Sequence, residues 1–195
     1  MARVAEVQRQ TTETRVQVRL DLDGTGVYRV DTGIGFMDHM LGLFARHARF
    51  DLELNADGDL EVDGHHTVED TGICLGRAIK EALGDKRGIT RYGQALLPMD
   101  EALALVAVDL SGRGHLVYDV PLPSSRVGDL DCELVEEFLR ALAASGEFTL
   151  HVRLLSGRNT HHIIEAVFKG LGRTLKQAAA PEPGEDRVPS TKGIL

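Results

Sequence analysis

The stretch His65-His66-Thr67-Val68-Glu69 recurs 96 positions later as His161-His162-Ile163-Ile164-Glu165, and each copy opens an apolar-periodic segment that is typical of a helix. On a helix, the first His and the Glu of each copy lie one turn apart, whereas the second His is rotated by about 100°. One such copy is usually a solvated face or a coincidence. Two copies with the same spacing, in a chain with 8 His, predict a duplicated unit that assembles a pair of metal sites.

The segments around the two motifs also repeat in order. In each half, strand patterns precede a helix, a further strand and the motif-bearing helix. The strand at Phe50 matches the strand at Phe148 at a spacing of 98, whereas Arg77 matches Arg173 at a spacing of 96. This order predicts an α+β fold with internal duplication, in which helices pack on one face of each sheet. The predicted units are half-units at 1–88 and 89–180, followed at 181–195 by a flexible linker and a tail that closes over the substrate.

The chain is predicted to begin with a β-hairpin, because strand patterns at 14–22 and 27–30 flank the strong turn signal Asp23-Gly24-Thr25-Gly26. Asp63 and Asn159 precede the two His pairs and are predicted N-caps, which puts each His pair in the first turn of its helix. The other predicted elements are strands at 50–54, 89–97, 102–109, 116–120 and 148–152 and helices at 36–47, 65–83, 132–144 and 161–178.

Composition narrows the class of protein. With 195 residues and 43% hydrophobic content, the chain can bury a core of ordinary globular size. A formal net charge of −8 argues against nucleic acid as a partner, because binding to phosphate backbones needs a basic face. Cys74 and Cys132 lie far apart and indicate neither a disulfide framework nor a thiolate metal site. No apolar segment suits a signal peptide or a membrane span, so we expect a cytoplasmic protein that does not bind membranes.

Imidazole and carboxylate donors without thiolate favour manganese, iron or zinc over calcium. The i, i+4 spacing assigns the first His and the Glu of each motif to one ion and leaves the second His to reach the other ion. His39 is the expected fourth ligand of the first site, and Glu137, its counterpart 98 positions later, can complete the second. Asp38 and Asp70 are expected to orient the ligand imidazoles as hydrogen-bond acceptors. The predicted metal ligands are His39, His65, His66, Glu69, Glu137, His161, His162 and Glu165.

Several cationic and hydroxyl residues lie beside glycines, beside the second motif, or near the end of the chain. Guanidinium and ammonium groups suit a phosphate dianion, although each of these residues taken singly is more typical of a surface charge. The proline-containing segment 179–187 is typical of a flexible linker, beyond which the last residues could close over a bound phosphate. These residues are Arg91, Arg113, Lys169, Ser190 and Lys192.

Further segments of the chain form a recognisable set, namely Glu13-Thr14, Gly33 to Met40, Asp63 to Asp70, Met99-Asp100-Glu101-Ala102, Ser111-Gly112-Arg113, Asn159 to Ala166 and Pro189 to Gly193. Through these segments, nearly the whole chain resembles the imidazoleglycerol-phosphate dehydratases of histidine biosynthesis. The resemblance implies two divalent ions per active site, expected to be manganese, at contacts between subunits, and a homo-oligomer of 24 subunits built from trimers. The family usually has a His where this chain has Glu137, which leaves coordination possible and makes the metal preference an open question.

The resemblance implies dehydration of D-erythro-imidazole-glycerol phosphate to imidazole-acetol phosphate. The carbon that loses its proton has no adjacent carbonyl, so direct deprotonation lacks carbanion stabilisation. The expected route is an imidazolate bound to two metal ions, which expels the neighbouring hydroxyl and gives a diazafulvene. The implied catalytic residues are Glu13, Glu69 and Asp100, with Glu13 as the leading acid–base candidate. The implied phosphate-binding residues are Arg91, Arg113, Lys169, Ser190 and Lys192.

Two other functions fit the same ligand pattern. A di-metal hydrolase would use a bridging hydroxide to attack a phosphoester or an amide, and it would release free phosphate from a phosphorylated substrate. A non-catalytic protein would use the metals as clips between the subunits of a storage or scaffold shell. Turnover of imidazole-glycerol phosphate distinguishes the dehydratase from both.

Overall fold

Two four-stranded sheets with the same strand order form the framework of the chain, which a computed structural model describes over residues 3–195. The strands of the first sheet are β1 (Val4–Gln10), β2 (Thr14–Asp21), β3 (Tyr28–Asp31) and β4 (Asp51–Gly58). Their order is β1-β2-β4-β3, in which β3 runs parallel to β4 and the other pairs are antiparallel. Alternate residues of β2, namely Val16, Val18 and Leu20, are buried, which is the period expected of a sheet covered on one face.

The second sheet repeats this arrangement. Its strands are β5 (Tyr92–Met99), β6 (Ala102–Asp109), β7 (His115–Asp119) and, after a small hairpin of β8 (Arg126–Val127) and β9 (Leu130–Asp131), β10 (Thr149–Ser156). Their order is β5-β6-β10-β7, with β7 parallel to β10. Asp21 pairs with Asp51 in the first sheet, and Asp109 pairs with Thr149 at the equivalent place in the second. The shared order and register confirm the predicted duplication.

Within the described residues 3–195, four helices cover one face of each sheet. They are α1 (Gly35–Ala48), α2 (His65–Leu83), α3 (Glu133–Gly146) and α4 (Thr160–Ala179). Helices α1 and α2 pack on the first sheet and α3 and α4 on the second, while α1 also packs on α4 and α2 on α3. The predicted α+β fold with helices on one face of each sheet is therefore confirmed. Among residues 3–195, no helix has both the length and the apolar character needed to cross a bilayer.

Glycines allow the two cross-half helix pairs to approach closely. A Cβ atom at Gly76 of α2 would lie 2.5 Å from the carbonyl oxygen of Leu142 in α3, and a Cβ atom at Gly172 of α4 would lie 2.5 Å from that of Phe44 in α1. These residues correspond at the spacings of 96 and 98 that relate the two halves. The two helix pairs therefore pack in the same way, and α1 has the same relation to the second motif as α3 has to the first.

The predicted hairpin at residues 14–30 is wrong, because β4 lies between β2 and β3. The strand that forms a hairpin with β2 is β1, which the sequence pattern did not predict. The loop between β2 and β3 is fixed instead by Asp51, whose carboxylate accepts hydrogen bonds of 2.8 to 2.9 Å from the backbone N–H groups of Thr25, Gly26 and Val27. These bonds lower the pKa of Asp51 and hold the loop across the start of β4.

Strand β5 begins at Tyr92 rather than at the predicted residue 89, because residues 88–91 pair with the C-terminal segment. Ile89 forms a β-bridge with Pro181, and the N–H of Gly88 donates to the carbonyl of Arg187 at 2.9 Å. Arg91 Nη1 donates to the carbonyl of Pro189 at 2.7 Å. The segment predicted as a linker thus follows residues 88–91 along the surface of the second half.

Candidate metal centre and anion cavity

Three of the predicted metal ligands converge where α1 meets α4. His39 Nε2 lies 2.9 Å and His161 Nε2 lies 3.1 Å from Glu165 Oε1, and one ligand atom of each residue lies within 4.8 Å of the others. His39 was expected to join the first motif, but it joins the second, because its helix packs on α4. The chemistry of this group, two imidazoles and one carboxylate, fits a divalent transition metal.

Glu165 is the buried member of this cluster, with its side chain 9% exposed. Burial acts to raise the pKa of Glu165, but hydrogen bonds from Lys169, His39 and His161 outweigh it and bring the pKa to about 2. The Lys169 ammonium lies 2.5 Å from Glu165 Oε2. The carboxylate is therefore ionised and available as a metal donor. Lys169, expected at the phosphate, contacts Glu165 and the sulfur of Met99 instead.

The predicted ligands of the first motif do not converge in the same way within one chain. By the equivalent packing of the helices, Glu137 of α3 has the same relation to His65 and Glu69 as His39 has to the second motif. Glu137 Oε2 nevertheless lies 3.9 Å from Arg140 Nε. Within residues 3–195, the group at His39 is the one set of three donors whose ligand atoms lie within 4.8 Å.

The second imidazole of each motif contacts a carboxylate that the sequence pattern does not predict as its partner. His66 Nδ1 lies 3.0 Å from Asp59 Oδ2, and His162 Nδ1 lies 2.8 Å from Glu101 Oε2. These contacts raise the pKa of both imidazoles. The two acceptors lie in loops, at no fixed spacing from the motifs, so only the Met99-Asp100-Glu101-Ala102 segment gave any signal in the sequence.

The acceptors expected from the sequence, Asp38 and Asp70, have other partners. Asp38 accepts hydrogen bonds from the backbone N–H and hydroxyl of Thr32, at 2.8 and 2.6 Å. Asp70 is buried and accepts hydrogen bonds from Arg9 Nε, at 2.9 Å, and from the hydroxyl of Thr14. Both carboxylates thus tie their helices to neighbouring strands and loops, and the prediction that they orient imidazoles is wrong.

Two of the predicted catalytic residues lie beside the same imidazoles. Glu13 Oε2 is 4.0 Å from His66 Nδ1, and Asp100 Oδ2 is 3.8 Å from His162 Nε2. Both carboxylates are more than half exposed, and Asp100 has a φ of 49°, a left-handed conformation that is uncommon outside glycine. The third, Glu69, is half-buried on α2.

Side chains from neighbouring loops fix the helix starts that carry these residues. Asn159 is the N-cap of α4, as predicted, and its side chain accepts from the N–H groups of His161 and His162. Asp63 accepts from the N–H of His65 at 2.8 Å, although the N-cap position of α2 is the following residue. Asp129, in the turn between β8 and β9, accepts from the first two N–H groups of α1, at 2.6 and 2.9 Å. At the starts of α1, α2 and α4, a side chain thus accepts from one or two of the N–H groups that lack partners within the helix.

Four of the five predicted phosphate-binding residues line one cavity of about 850 Å³ beneath the C-terminal segment. Arg91 is held in place there by two contacts. Its guanidinium forms a two-point ion pair with Asp109, at 2.8 and 3.2 Å, and donates a hydrogen bond to the carbonyl of Pro189. The guanidinium of Arg113 has one bond of 3.3 Å, to the carbonyl of Ser111, which leaves donors free for an anion. The predicted phosphate-binding residues that line the cavity are Arg91, Arg113, Ser190 and Lys192.

Comparisons with known proteins identify the family. The sequence profile of imidazoleglycerol-phosphate dehydratase matches residues 32–175. The chain is 64% identical to the imidazoleglycerol-phosphate dehydratase of Desulforudis audaxviator, over 100% of this chain and 99% of the relative, and 57% identical to that of Moorella thermoacetica, over the full length of both.

Solved structures give the same result. The fold matches imidazoleglycerol-phosphate dehydratase from Staphylococcus aureus with a TM-score of 0.83 and 40% identity, over 91% of this chain and 99% of that one. It matches the Pyrococcus furiosus structure in complex with (S)-C348 with a TM-score of 0.84 and 39% identity, over 97% of this chain and 100% of that one. The chain belongs to the imidazoleglycerol-phosphate dehydratase family, a family of hydro-lyases.

Proposed function

We propose that the chain dehydrates D-erythro-imidazole-glycerol phosphate to imidazole-acetol phosphate in histidine biosynthesis, with two divalent metal ions, expected to be manganese, in each active site. Membership of the family supports the dehydration and the pathway. The observation that carries the metal requirement is the convergence of His39, His161 and Glu165. The protein would act in the cytoplasm, where this biosynthesis takes place.

The residues present fit a metal pair. His39 and His161 direct their Nε2 atoms at one ionised carboxylate oxygen of Glu165, so nitrogen and oxygen donors already point at one place. The second ion would be held by the first motif together with Glu137, with His66 and His162 reaching across. A bound pair would act as a Lewis acid on the azole ring of the substrate and so make the loss of the neighbouring hydroxyl easier. In this proposal, His65 and Glu69 are the ligands that the first motif contributes to the second ion.

The remaining chemistry belongs to exposed carboxylates and to the anion cavity. Glu13 would take the proton from the substrate carbon, and its solvent-exposed position beside His66 gives a substrate access to its oxygens. Asp100 lies in the equivalent turn of the second half, beside His162. Arg91 and Arg113 would hold the phosphate, which fixes the reacting end of the substrate relative to the metals and lowers the entropic cost of reaction.

The enzyme with manganese should turn over imidazole-glycerol phosphate, and prior removal of metal by a chelator should abolish this activity. The measurement is the absorbance of the enolised ketone product, with metal-free protein and with manganese restored. Recovery on adding manganese, and not on adding calcium, is the expected result, because the donors include imidazole nitrogen. Full activity in metal-free protein would contradict the proposal. Release of free phosphate would instead favour the di-metal hydrolase, and metal binding without turnover would favour a structural shell.

We also expect the chain to form a homo-oligomer of 24 subunits built from trimers. The support on this chain is a set of large apolar side chains that lie exposed on the outer face of the second sheet, at Tyr92, Leu96 and Leu155. Burial of this face against other subunits would remove them from water. Mass photometry of the manganese-loaded protein should give a particle of about 24 times the 21.2 kDa chain. A monomer at micromolar concentration would contradict this expectation.

A further inference from the structure

We infer that the duplication has divided the roles of one pair of equivalent carboxylates, so that Glu101 positions His162 and the start of α4, whereas its counterpart Glu13 remains free for proton transfer. The inference deepens the proposed function and rests on it for the role of Glu13. The role of Glu101 rests on contacts within this chain.

The two carboxylates occupy the same place in the two halves. The N–H of Thr11 bonds to the carbonyl of Thr14, which closes a two-residue turn that ends with Glu13. Met99 pairs with Ala102 and closes the equivalent turn, which ends with Glu101. Thr11 and Thr14 precede Met99 and Ala102 by 88 positions, which is also the spacing between β2 and β6. One ancestral position has therefore given rise to both residues.

Glu101 uses both of its oxygens within the protein. Oε2 lies 2.8 Å from His162 Nδ1, and Oε1 accepts hydrogen bonds from the backbone N–H groups of Arg158, at 3.1 Å, and Asn159, at 2.7 Å. Asn159 in turn caps α4. One carboxylate thus joins the β5–β6 turn, the loop before α4 and the second imidazole of the motif. Such an acceptor keeps the proton on Nδ1 and leaves Nε2 with its lone pair free for a metal.

Among residues 3–195, no group forms a comparable hydrogen bond with the Glu13 carboxylate. The carboxylate that holds His66 Nδ1 in the first half is Asp59, at 3.0 Å, whereas Glu13 lies 4.0 Å away. A β-bulge near the end of β10 shifts the register by one residue, so Gly157, which faces Ala102 and Ile163, corresponds to Gly58, which faces Thr14 and Thr67. The residue that follows Gly157, in the place of Asp59, is Arg158. The second half thus has an arginine in place of that acceptor, and Glu101 is the carboxylate at His162 Nδ1. The first half has Asp59, which leaves Glu13 available for the reaction.

The test is the tautomer of His162 in metal-free enzyme, read by solid-state ¹⁵N NMR at a pH where the imidazoles are neutral. The His162→Gln variant identifies the signal. In the unmodified protein we expect a proton on Nδ1 and none on Nε2. A proton on Nε2 would overturn the inference, and this measurement needs neither a substitution at Glu101 nor turnover.

Glu101→Gln should reverse that tautomer. The two backbone N–H groups require the amide oxygen, so the amide NH₂ faces Nδ1, which must then accept a hydrogen bond, and the proton moves to Nε2. Loss of this oriented lone pair should weaken binding of manganese, measured by calorimetry, by about 10- to 100-fold. Affinity equal to that of the unmodified protein would overturn the inference. Glu61→Gln, at an exposed site, is the matched control and should leave tautomer and affinity unchanged.

Glu13→Gln provides the contrasting readout. It should keep the affinity for manganese and the tautomer of His66, because Asp59 holds that ring, while it lowers kcat. Glu101→Gln should instead recover kcat in part as manganese is raised to saturation. Equal behaviour of the two variants would contradict the division of roles. Failure of the unmodified enzyme to dehydrate the substrate would count against the proposed function and would leave the NMR result to decide the role of Glu101.

Discussion

Replacing Glu165 with Gln should lower kcat/KM by about 1000-fold, because a metal that acts as a Lewis acid contributes several kcal/mol and each factor of ten in rate corresponds to about 1.4 kcal/mol. Glu165 Oε1 is the point on which His39 and His161 converge, so the substitution removes the charged member of the cluster. The same change leaves the Lys169 ammonium, now 2.5 Å from this carboxylate, without its ion-pair partner. A cation without its counter-charge at this place disfavours a divalent ion further.

Two measurements separate this loss of metal from a loss of fold. Metal analysis of the purified variant should show fewer manganese ions per chain than in the unmodified protein, while its circular dichroism spectrum stays the same. Glu61→Gln makes the same chemical change at an exposed position and should leave both kcat/KM and metal content unaltered. A Glu165→Gln variant that keeps full metal content and activity would remove Glu165 from the metal centre.

The sequence was sufficient for the repeat and for the motif helices. Residues 65–83 form a helix with the predicted bounds, and the second motif helix extends from Thr160 to Ala179. These elements are long, strongly periodic and preceded by good capping residues, so local pattern decides them. Duplication added the correspondence between His39 and Glu137, which no single motif would give.

The sequence pattern does not predict which strands and helices pack against each other. The turn at Asp23-Gly24 was correctly placed, but a turn signal does not tell whether the next strand pairs with the previous one or crosses a third strand, as β3 does here. The same limit applies to His39. Spacing along a helix predicts which residues of that helix are neighbours, but not which other helix packs against them. In the structure, α1 packs closely on α4 at Gly172, and this packing brings His39 to the second motif.

Hydrogen-bond acceptors for the imidazoles were missed for a related reason. Asp38 and Asp70 are next to predicted ligands in the sequence, yet adjacent residues on a helix point in different directions. The acceptors in the structure, Asp59 and Glu101, lie in loops that the sheets bring beside the motif helices. Their positions depend on the strand order, which only the fold determines.

Deleting residues 190–195 should raise KM for the phosphorylated substrate by about 100-fold, while kcat at saturation falls less. Ser190 and Lys192 line the anion cavity together with Arg113, and hydrogen bonds to a charged group contribute about 1.5 to 3 kcal/mol each. The truncation point is chosen because the segment before it is held independently. Arg91 Nη1 bonds to the carbonyl of Pro189, and Gly88 N–H bonds to that of Arg187, so these contacts remain after the deletion.

A shorter deletion isolates the two cavity residues from the rest of the tail. Removing residues 193–195 keeps Ser190 and Lys192 but loses the contact of Leu195 with Gly112, whose Cβ would lie 2.5 Å from the Leu195 carbonyl carbon. If the tail acts through phosphate contacts, the shorter deletion should raise KM much less than the longer one. If it acts only as a cover seated on Gly112, the two deletions should behave alike. Unchanged KM in the longer deletion would exclude both roles, because no residue of the terminal segment would then contribute to substrate binding.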